Sequence, residues 1–232
     1  MSLTDGARAD SAVLAASVGA AILYGARVRS PPSRLRMMVK TSSTALLSAV
    51  AAMRDGPLLL VGALALGSLG DAFLAWDDET SFLCGLGSFL VAHILYIALF
   101  IKSGAAGEAQ HQILLDGSWR TLVAGTLALL VPIMIFLLMP RIGRALRPPV
   151  VVYSLTIFIM AVAALTLESS QVVTGALMFT SSDSILAAER FLVSPASSHR
   201  AWMQHAVWVF YYSGQLLIAL GLLSLGPATS YA

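Results

Sequence analysis

Charged residues are scarce in this chain. They make up 11% of its 232 residues, whereas soluble domains contain about 25%. The hydrophobic content is 58% and the mean hydropathy is +0.83, which excludes an ordinary soluble domain and predicts an integral membrane protein. The net charge is only +2, so the chain lacks the strongly basic surface that nucleic acids require, and we expect no nucleic-acid partner.

Cysteine and metal-binding patterns are nearly absent as well. The one cysteine, Cys84, lies in an apolar run and has no partner for an intrachain disulfide, so we interpret it as a small core residue rather than a nucleophile. His199 and His205 are six residues apart, which does not place two ligands on one helix face. The sequence has neither a serine nucleophile elbow nor a glycine-rich phosphate loop. We expect no metal and no organic cofactor.

Long apolar runs dominate what is present. Each is close to the roughly 20 residues that a helix needs to cross a bilayer, and short segments rich in proline, glycine and charge separate them. The sequence therefore predicts an all-α polytopic bundle of eight transmembrane helices in a single membrane-embedded domain, residues 1–232. We expect an integral, multi-pass protein of the inner membrane in a bacterium, or of the endoplasmic reticulum in a eukaryote. The expected spans are residues 11–28, 35–53, 57–76, 80–101, 120–139, 148–167, 171–193 and 203–225.

A short internal match suggests duplication. Gly70-Asp71-Ala-Phe-Leu-Ala75 resembles Ser182-Asp183-Ser-Ile-Leu-Ala187, and the two segments lie four expected helices apart. An even number of helices preserves orientation, so the expected halves are two parallel four-helix repeats. Chance similarity between two leucine- and alanine-rich segments is the alternative.

Two aspartates interrupt these apolar runs. Asp71 lies in the third expected span and Asp183 in the seventh. A carboxylate in hydrocarbon is costly unless it faces the bundle interior or a wet cavity, so each residue is a candidate functional group. At ~1.5 Å per residue, both lie roughly 10 Å below the same membrane surface.

Other polar and aromatic residues are expected at a similar depth. They lie on the second, fourth and eighth spans, and the pattern predicts one site to which five helices contribute. The candidates beside the two aspartates are Lys40, His93, Tyr96, Tyr211, Tyr212 and Gln215.

Structural roles remain open for these residues. Asp71 is alternatively a buried anchor paired with Lys40 or His93, and Lys40 alternatively extends to the headgroups. Asp183 follows Thr180, Ser181 and Ser182, so it alternatively caps a helix that restarts there. Trp208, Tyr211 and Tyr212 alternatively form an interfacial belt, and His93 alone is more typical of a hydrogen-bonded core histidine.

Four motifs follow one another along the chain. They are Gly70-Asp71-x-Phe-Leu74, Phe82-x-x-Gly85-x-x-x-Phe89-x-x-x-His93-x-x-Tyr96, Gly175-Ala-Leu-x-Phe179-x-x-Ser182-Asp183-x-x-Leu-Ala187 and Tyr211-Tyr212-x-x-Gln215-x-Leu-Ile218. In this order they resemble the lysoplasmalogenase family (YhhN-like proteins, which include the transmembrane protein 86 proteins). The resemblance implies an eight-helix bundle that hydrolyses the vinyl ether bond of lysoplasmalogens. The implied products are a fatty aldehyde and glycerophosphocholine or glycerophosphoethanolamine. The resemblance therefore implies a lysophospholipid substrate within the lipid bilayer; the oligomeric state stays open.

Paired aspartates suit that chemistry. A vinyl ether opens when its β-carbon is protonated, and the resulting oxocarbenium ion is captured by water. A carboxyl group in a low-dielectric pocket can retain its proton, and a nearby carboxylate stabilises the cation. We interpret Asp71 and Asp183 jointly as acid and base. The residues expected to orient the carboxyl groups and the water, or to hold the glycerol hydroxyl, are His93, Tyr96, Tyr211, Tyr212 and Gln215. Lys40 and the loop arginines are expected to attract the lipid phosphate.

Two other functions fit an intramembrane aspartate pair. A small-molecule or proton-coupled transporter fits the possible repeats and a helix broken at residues 180–182. An intramembrane aspartyl protease needs Gly-x-Gly-Asp, whereas this chain has Ser68-Leu69-Gly70-Asp71. The clustering of polar residues near one membrane face favours the enzyme over the transporter.

Overall fold

The regular structure is entirely helical. A computed structural model describes residues 3–104 and 118–224, with side chains from residue 8 onward. Within these ranges the chain forms eight α-helices and no strand, which confirms the all-α part of the predicted fold class. The helices are α1 Leu3–Gly25, α2 Arg34–Met53, α3 Leu58–Phe73, α4 Glu79–Ser103, α5 Trp119–Leu138, α6 Arg147–Leu165, α7 Ser170–Phe191 and α8 His199–Ser224.

Each helix corresponds to one of the eight predicted apolar runs. Most ends differ from the predicted ends by one to four residues, but α1 begins at Leu3 rather than at residue 11. Hydropathy marks only the apolar part of a helix, whereas backbone hydrogen bonds continue into polar sequence. Residue 225, the expected end of the last span, lies outside the described residues.

Cys84 of α4 is exposed, so its interpretation as a core residue is wrong.

Four helices are long and apolar enough to cross a membrane. In the described part of the chain these are α4, α5, α6 and α8. Helix α3 is apolar but has only 16 residues. Helices α2 and α7 have 20 and 22 residues, but serine and threonine lower their hydropathy. Four such helices indicate a membrane-embedded protein, and the eight-span topology stays a prediction.

The chain divides into two compact units. Unit 1 comprises Met1–Tyr96 and Ala219–Ala232, and unit 2 comprises Ile97–Ile218. Unit 1 therefore contains α1, α2, α3 and most of α4, and unit 2 contains α5, α6, α7 and most of α8. The single domain expected for residues 1–232 stays a prediction.

Small hydroxyl side chains join the helices of unit 1. Helix α2 packs against both α1 and α3. Serine hydroxyl groups donate to backbone carbonyls of neighbouring helices, which satisfies polar groups that lipid cannot satisfy. These bonds run from Ser17 to Ser43 O at 2.6 Å, from Ser48 to Val61 O at 2.9 Å, from Ser68 to Thr41 O at 3.0 Å and from Ser88 to Leu66 O at 2.7 Å.

Unit 2 combines an apolar cluster with a close helix approach. Leu138, Ile142 and Val150 form a buried cluster at the connection between α5 and α6, and Ala187 and Phe191 of α7 pack against it. Helices α7 and α8 approach closely at Gly175, where an added Cβ atom would lie 2.8 Å from the Gly214 carbonyl oxygen. These contacts hold α7, the helix that carries Asp183.

Local caps begin and end several helices. Ser33 accepts a hydrogen bond from Arg36 N at the start of α2, and Ser169 accepts one from Val172 N at the start of α7. Asp78 accepts from Ser81 N at 2.8 Å in front of α4, and hydrogen bonding to Ser81 holds the pKa of the Asp78 carboxyl below its usual range. Hydrogen bonds between residues that are close in the sequence therefore define where these helices begin.

Candidate functional site

Asp71 is buried in unit 1 between two donors from α2. Its side chain is 1% exposed. The Lys40 ammonium lies 3.3 Å from Oδ1, and the Thr44 hydroxyl donates to Oδ2 at 2.9 Å. Lys40 and Thr44 are one helical turn apart, so they present their polar groups on the same side of α2. Both oxygens of the carboxyl group are thereby engaged.

Lys40 lies inside the protein and does not extend to the headgroups. Its residue is 9% exposed, and the Tyr24 ring centre lies 5.9 Å from its ammonium. The same ring lies 5.9 Å from the Arg36 guanidinium, which also faces the carbonyl oxygens of Val28 and Ala75. The snorkelling alternative for Lys40 is therefore wrong, because its ammonium pairs with Asp71. Whether it also attracts a lipid phosphate stays a prediction.

His93 and Tyr96 are fully buried on α4. His93 Nδ1 lies 2.6 Å from the Phe89 carbonyl oxygen, one turn back along the helix. A bond of this kind also fits a core histidine. Phe89 in turn packs on Gly70, where an added Cβ atom would lie 2.5 Å from the Phe89 ring. Helix α4 thus packs directly beside the Asp71 backbone, while the roles of His93 and Tyr96 in a site stay predictions.

Asp183 accepts a hydrogen bond from a residue that sequence reasoning missed. The Tyr153 hydroxyl of α6 donates to Asp183 Oδ2 at 2.6 Å. Both side chains are half-buried within unit 2. A tyrosine in the middle of an apolar span indicated that Tyr153 could belong to a site. The sequence did not show, however, which side of α6 faces α7.

Helix α7 is continuous through Thr180, Ser181 and Ser182. It runs without a break from Ser170 to Phe191. Thr180 donates to Ala176 O at 2.9 Å and Ser181 to Leu177 O at 2.8 Å, so these hydroxyl groups bond to the preceding turn. The restarting helix considered for Asp183 is therefore wrong, and so is the discontinuous helix that favoured a transporter.

Aromatic side chains of α8 pack against α7 and against one another in unit 2. The Tyr211 ring lies 5.3 Å from that of Phe179 in an edge-on arrangement, and the Trp208 ring stacks on Tyr212 at 6.0 Å. Trp208, Tyr211 and Tyr212 are buried, which argues against an exposed interfacial belt. Gln215 is fully buried one turn further along α8.

The sequence also gave no sign of the Glu189 cluster in unit 2, in which a buried glutamate is paired with Arg200 and Gln204. Glu189 is 5% exposed near the end of α7. Its carboxylate accepts from the Arg200 guanidinium at 2.5 Å and from the Gln204 amide at 3.0 Å. Both partners lie near the start of α8, so the cluster joins the two helices.

The polar groups around Asp71, Asp183 and Glu189 do not form a metal centre in the described part of the chain. Among the described residues, no group of three or more His, Cys, Asp or Glu side chains is placed to hold a metal ion. The two aspartates and their hydroxyl partners are instead side chains that can transfer protons. In each unit an aspartate on the third helix accepts a hydrogen bond from a hydroxyl group on the second helix.

Comparison with known proteins identifies the family. The profile of the YhhN family matches residues 35–222, which include α2 through α7 and nearly all of α8. The chain belongs to the YhhN family. The match covers both aspartates and every residue that the motifs singled out.

Several relatives of this YhhN-family chain carry the name lysoplasmalogenase. Human lysoplasmalogenase TMEM86B is 33% identical over 166 residues, which cover 71% of this chain and 63% of that protein. The mouse protein of the same name is 34% identical over 175 residues, covering 75% and 68%. A lysoplasmalogenase from Mycobacterium tuberculosis is 29% identical over 167 residues, covering 70% and 59%. The chain thus spans about three fifths to two thirds of the length of these relatives. No solved structure matches it.

Proposed function

We propose that this YhhN-family chain is a lysoplasmalogenase that hydrolyses the vinyl ether bond of lysoplasmalogens. The observation that carries the proposal is the family match to residues 35–222, together with relatives named lysoplasmalogenase. Both aspartates of the proposed chemistry lie within that match. The products are a fatty aldehyde and the glycerophosphocholine or glycerophosphoethanolamine that remains.

The proposed architecture is eight transmembrane helices in two four-helix repeats, in the inner membrane of a bacterium or the endoplasmic reticulum of a eukaryote. Unit 1 contains the first four helices and unit 2 the second four, apart from the ends of α4 and α8. The repeat is also supported by equivalent contacts. Thr44 of α2 bonds to Asp71 of α3, and Tyr153 of α6 bonds to Asp183 of α7.

Asp71 and Asp183 act jointly as acid and base in the proposed reaction. One transfers a proton to the β-carbon of the vinyl ether, and the carboxylate charge stabilises the oxocarbenium ion that forms. Water then adds to the α-carbon, and the hemiacetal separates into aldehyde and alcohol. The logic is that of glycoside hydrolysis, in which two carboxyl groups support a similar cation.

The remaining predicted residues contact the lysophospholipid or orient the carboxyl groups. What supports this is their burial and their aromatic or amide chemistry, which suits a glycerol hydroxyl and a lipid chain. They are His93, Tyr96, Tyr211, Tyr212 and Gln215, all buried, with Lys40 beside Asp71. The apolar helix faces take the hydrocarbon tail.

The first prediction concerns Asp71→Asn and Asp183→Asn. Each variant removes one acid–base group while keeping its size, so aldehyde release should fall by at least roughly 10²-fold. The assay supplies lysoplasmenylethanolamine to the purified full chain in detergent and measures fatty aldehyde and glycerophosphoethanolamine by mass spectrometry. In D₂O, with the aldehyde reduced as it forms, the product should carry a single deuterium beside the former carbonyl carbon.

Two controls accompany this assay. Asp77→Asn changes an exposed aspartate in the loop after α3 and should retain activity. The saturated alkyl ether analogue has no double bond to protonate and should give no product. Wild-type turnover of the saturated ether, or full activity in both Asn variants at 71 and 183, would contradict the proposed chemistry.

A further inference from the structure

An open cleft lies at the connection between α5 and α6, entirely within unit 2. Its volume is about 460 Å³, which is typical of sites that bind small molecules. Apolar side chains and two arginines line it, namely Phe136, Leu137, Met139, Pro140, Arg141 and Arg147. None of these described lining residues carries a carboxyl, imidazole or thiol group. The cleft can therefore bind a ligand, but its side chains cannot act on that ligand as an acid or base.

The positive charge of this segment is not balanced by acidic residues. Residues 119–167, which include α5 and α6, contain four arginines and neither aspartate nor glutamate. On α7, Ala187 and Phe191 pack beside the connection, but the carboxylate between them in sequence, Glu189, is paired with Arg200. A negatively charged ligand in the cleft would therefore meet two cations and no lining carboxylate.

The arginines of this segment differ in how far the protein satisfies their hydrogen bonds. Arg120 at the start of α5 donates to the carbonyl oxygens of Leu165 and Leu167 at 2.8 and 2.7 Å, so it has a structural role at the end of α6. The buried Nε of Arg147, in contrast, has no hydrogen-bond partner in the described part of the chain. A buried donor without an acceptor is costly, and an anion in the cleft can supply the acceptor.

An exposed apolar stripe on α5 leads to the cleft. Leu129, Ile133 and Phe136 are four and three residues apart, so they lie on one side of the helix, and each is more than half exposed. Helix α5 is also a candidate membrane span, and hardly any of it is buried within the protein. An apolar surface of this kind is stable against lipid chains rather than water. A hydrocarbon chain along the stripe would end at Phe136, which lines the cleft.

We propose that the cleft is a binding site for an anionic phospholipid of the bilayer. Its phosphate lies between Arg141 and Arg147, because each planar guanidinium can donate two parallel hydrogen bonds to phosphate oxygens. One acyl chain lies along Leu129, Ile133 and Phe136. Two cations favour a headgroup with a net negative charge over a zwitterionic one, whose amine would offset the phosphate. The lipid is a resident ligand rather than a substrate, so the site does not depend on the proposed hydrolysis.

Native mass spectrometry of the purified full chain tests the site. The protein is given equal amounts of phosphatidylglycerol and phosphatidylcholine with the same acyl chains. We expect each chain to retain one phosphatidylglycerol in preference to phosphatidylcholine. Arg141→Gln and Arg147→Gln each remove a charged donor pair and should weaken phosphatidylglycerol binding about 10-fold. The double variant should retain the two lipids equally.

Three comparisons identify what the site recognises. Arg144→Gln makes the same charge change on an exposed arginine of the same connection that does not line the cleft, and it should leave binding unchanged. Arg147→Lys keeps the charge but lacks the planar donor pair, so its affinity should lie between those of the wild type and Arg147→Gln. Inorganic phosphate in large excess has no chain to contact α5 and should not displace the lipid.

Each contrary outcome overturns the site for a distinct reason. Equal retention of the two lipids by the wild type, or equal losses in Arg144→Gln and Arg147→Gln, would show that the connection attracts headgroups only through its general charge. Displacement by inorganic phosphate would assign the cleft to a soluble anion. Circular dichroism and Tm establish that each variant is folded. Because Arg141 is exposed, Arg141→Gln decides the question if Arg147→Gln does not fold. None of these measurements uses aldehyde release, so failure here leaves the proposed function untouched.

Discussion

At the scale of single residues, most buried polar side chains in the described part of the chain are either uncharged or carry a charge that is paired. Ser17, Ser48, Ser68 and Ser88 donate to carbonyl oxygens of neighbouring helices. Such bonds provide in apolar surroundings what water provides elsewhere. Buried carboxylates need stronger partners, and the structure supplies a cation to Asp71 and to Glu189.

Arg200→Ala tests the pairing of Glu189. The variant leaves a carboxylate that is 5% exposed with only the Gln204 amide among its described partners. Because Arg200 is itself partly exposed, we expect a loss of about 1–3 kcal/mol of stability rather than the larger cost of a fully buried pair. Thermal unfolding in detergent should show a lower Tm, and adding Glu189→Gln should restore part of it.

Arg144→Ala is the matched control for this measurement. Arg144 is an exposed arginine between α5 and α6, so its removal should leave Tm nearly unchanged. Equal losses in Arg144→Ala and Arg200→Ala would show that the Glu189 pair contributes nothing specific.

At the scale of helices, glycine determines how closely α7 approaches α8. A Cβ atom at Gly175 would lie 2.8 Å from Gly214 O and 2.9 Å from the backbone nitrogen of Ile218. Both are backbone atoms, so the helices themselves would have to separate. The approach lies eight residues before Asp183 on the same helix, and it therefore helps to position that aspartate.

Gly175→Ala should destabilise the protein by about 1–3 kcal/mol, because the added methyl group overpacks a backbone contact. Activity should fall too, since α7 carries Asp183. Gly125→Ala is the control, because nothing lies within 4 Å of a Cβ atom at that position of α5, and there alanine favours the helix. Thermal unfolding and aldehyde release measured side by side check both effects. A Tm for Gly175→Ala equal to that for Gly125→Ala would show that the close approach is unimportant.

At the scale of the whole molecule, the number of membrane crossings is the main open prediction. Within the described residues, length and composition mark four helices as candidate spans, whereas the apolar runs predict eight. The hydropathy of α2 and α7 is low because they carry serine, threonine and the residues of the candidate site. Polar groups that face other helices do not prevent a helix from crossing a bilayer.

Cysteine labelling distinguishes eight spans from four. In a Cys84→Ser background, cysteines replace the exposed residues Arg54, Asp77, Glu168 and Ser198, one at a time. Eight spans place residues 54 and 77 on opposite sides, and likewise 168 and 198. Four spans place the members of each pair on the same side. A membrane-impermeant maleimide applied to sealed vesicles of known orientation reads the result, and same-side labelling within both pairs excludes the eight-span topology.

The sequence by itself determined the helices and the positions of Asp71 and Asp183, because hydropathy, caps and turn residues act over a few neighbouring residues. It did not identify Tyr153 or the Glu189 cluster, and it wrongly allowed a break at residues 180–182. Those outcomes depend on how each helix is rotated and offset against its neighbours. Only the tertiary structure decided that Lys40 and Thr44 face Asp71 and that Tyr153 faces Asp183, because such pairs form between helices whose packing no single run of residues encodes.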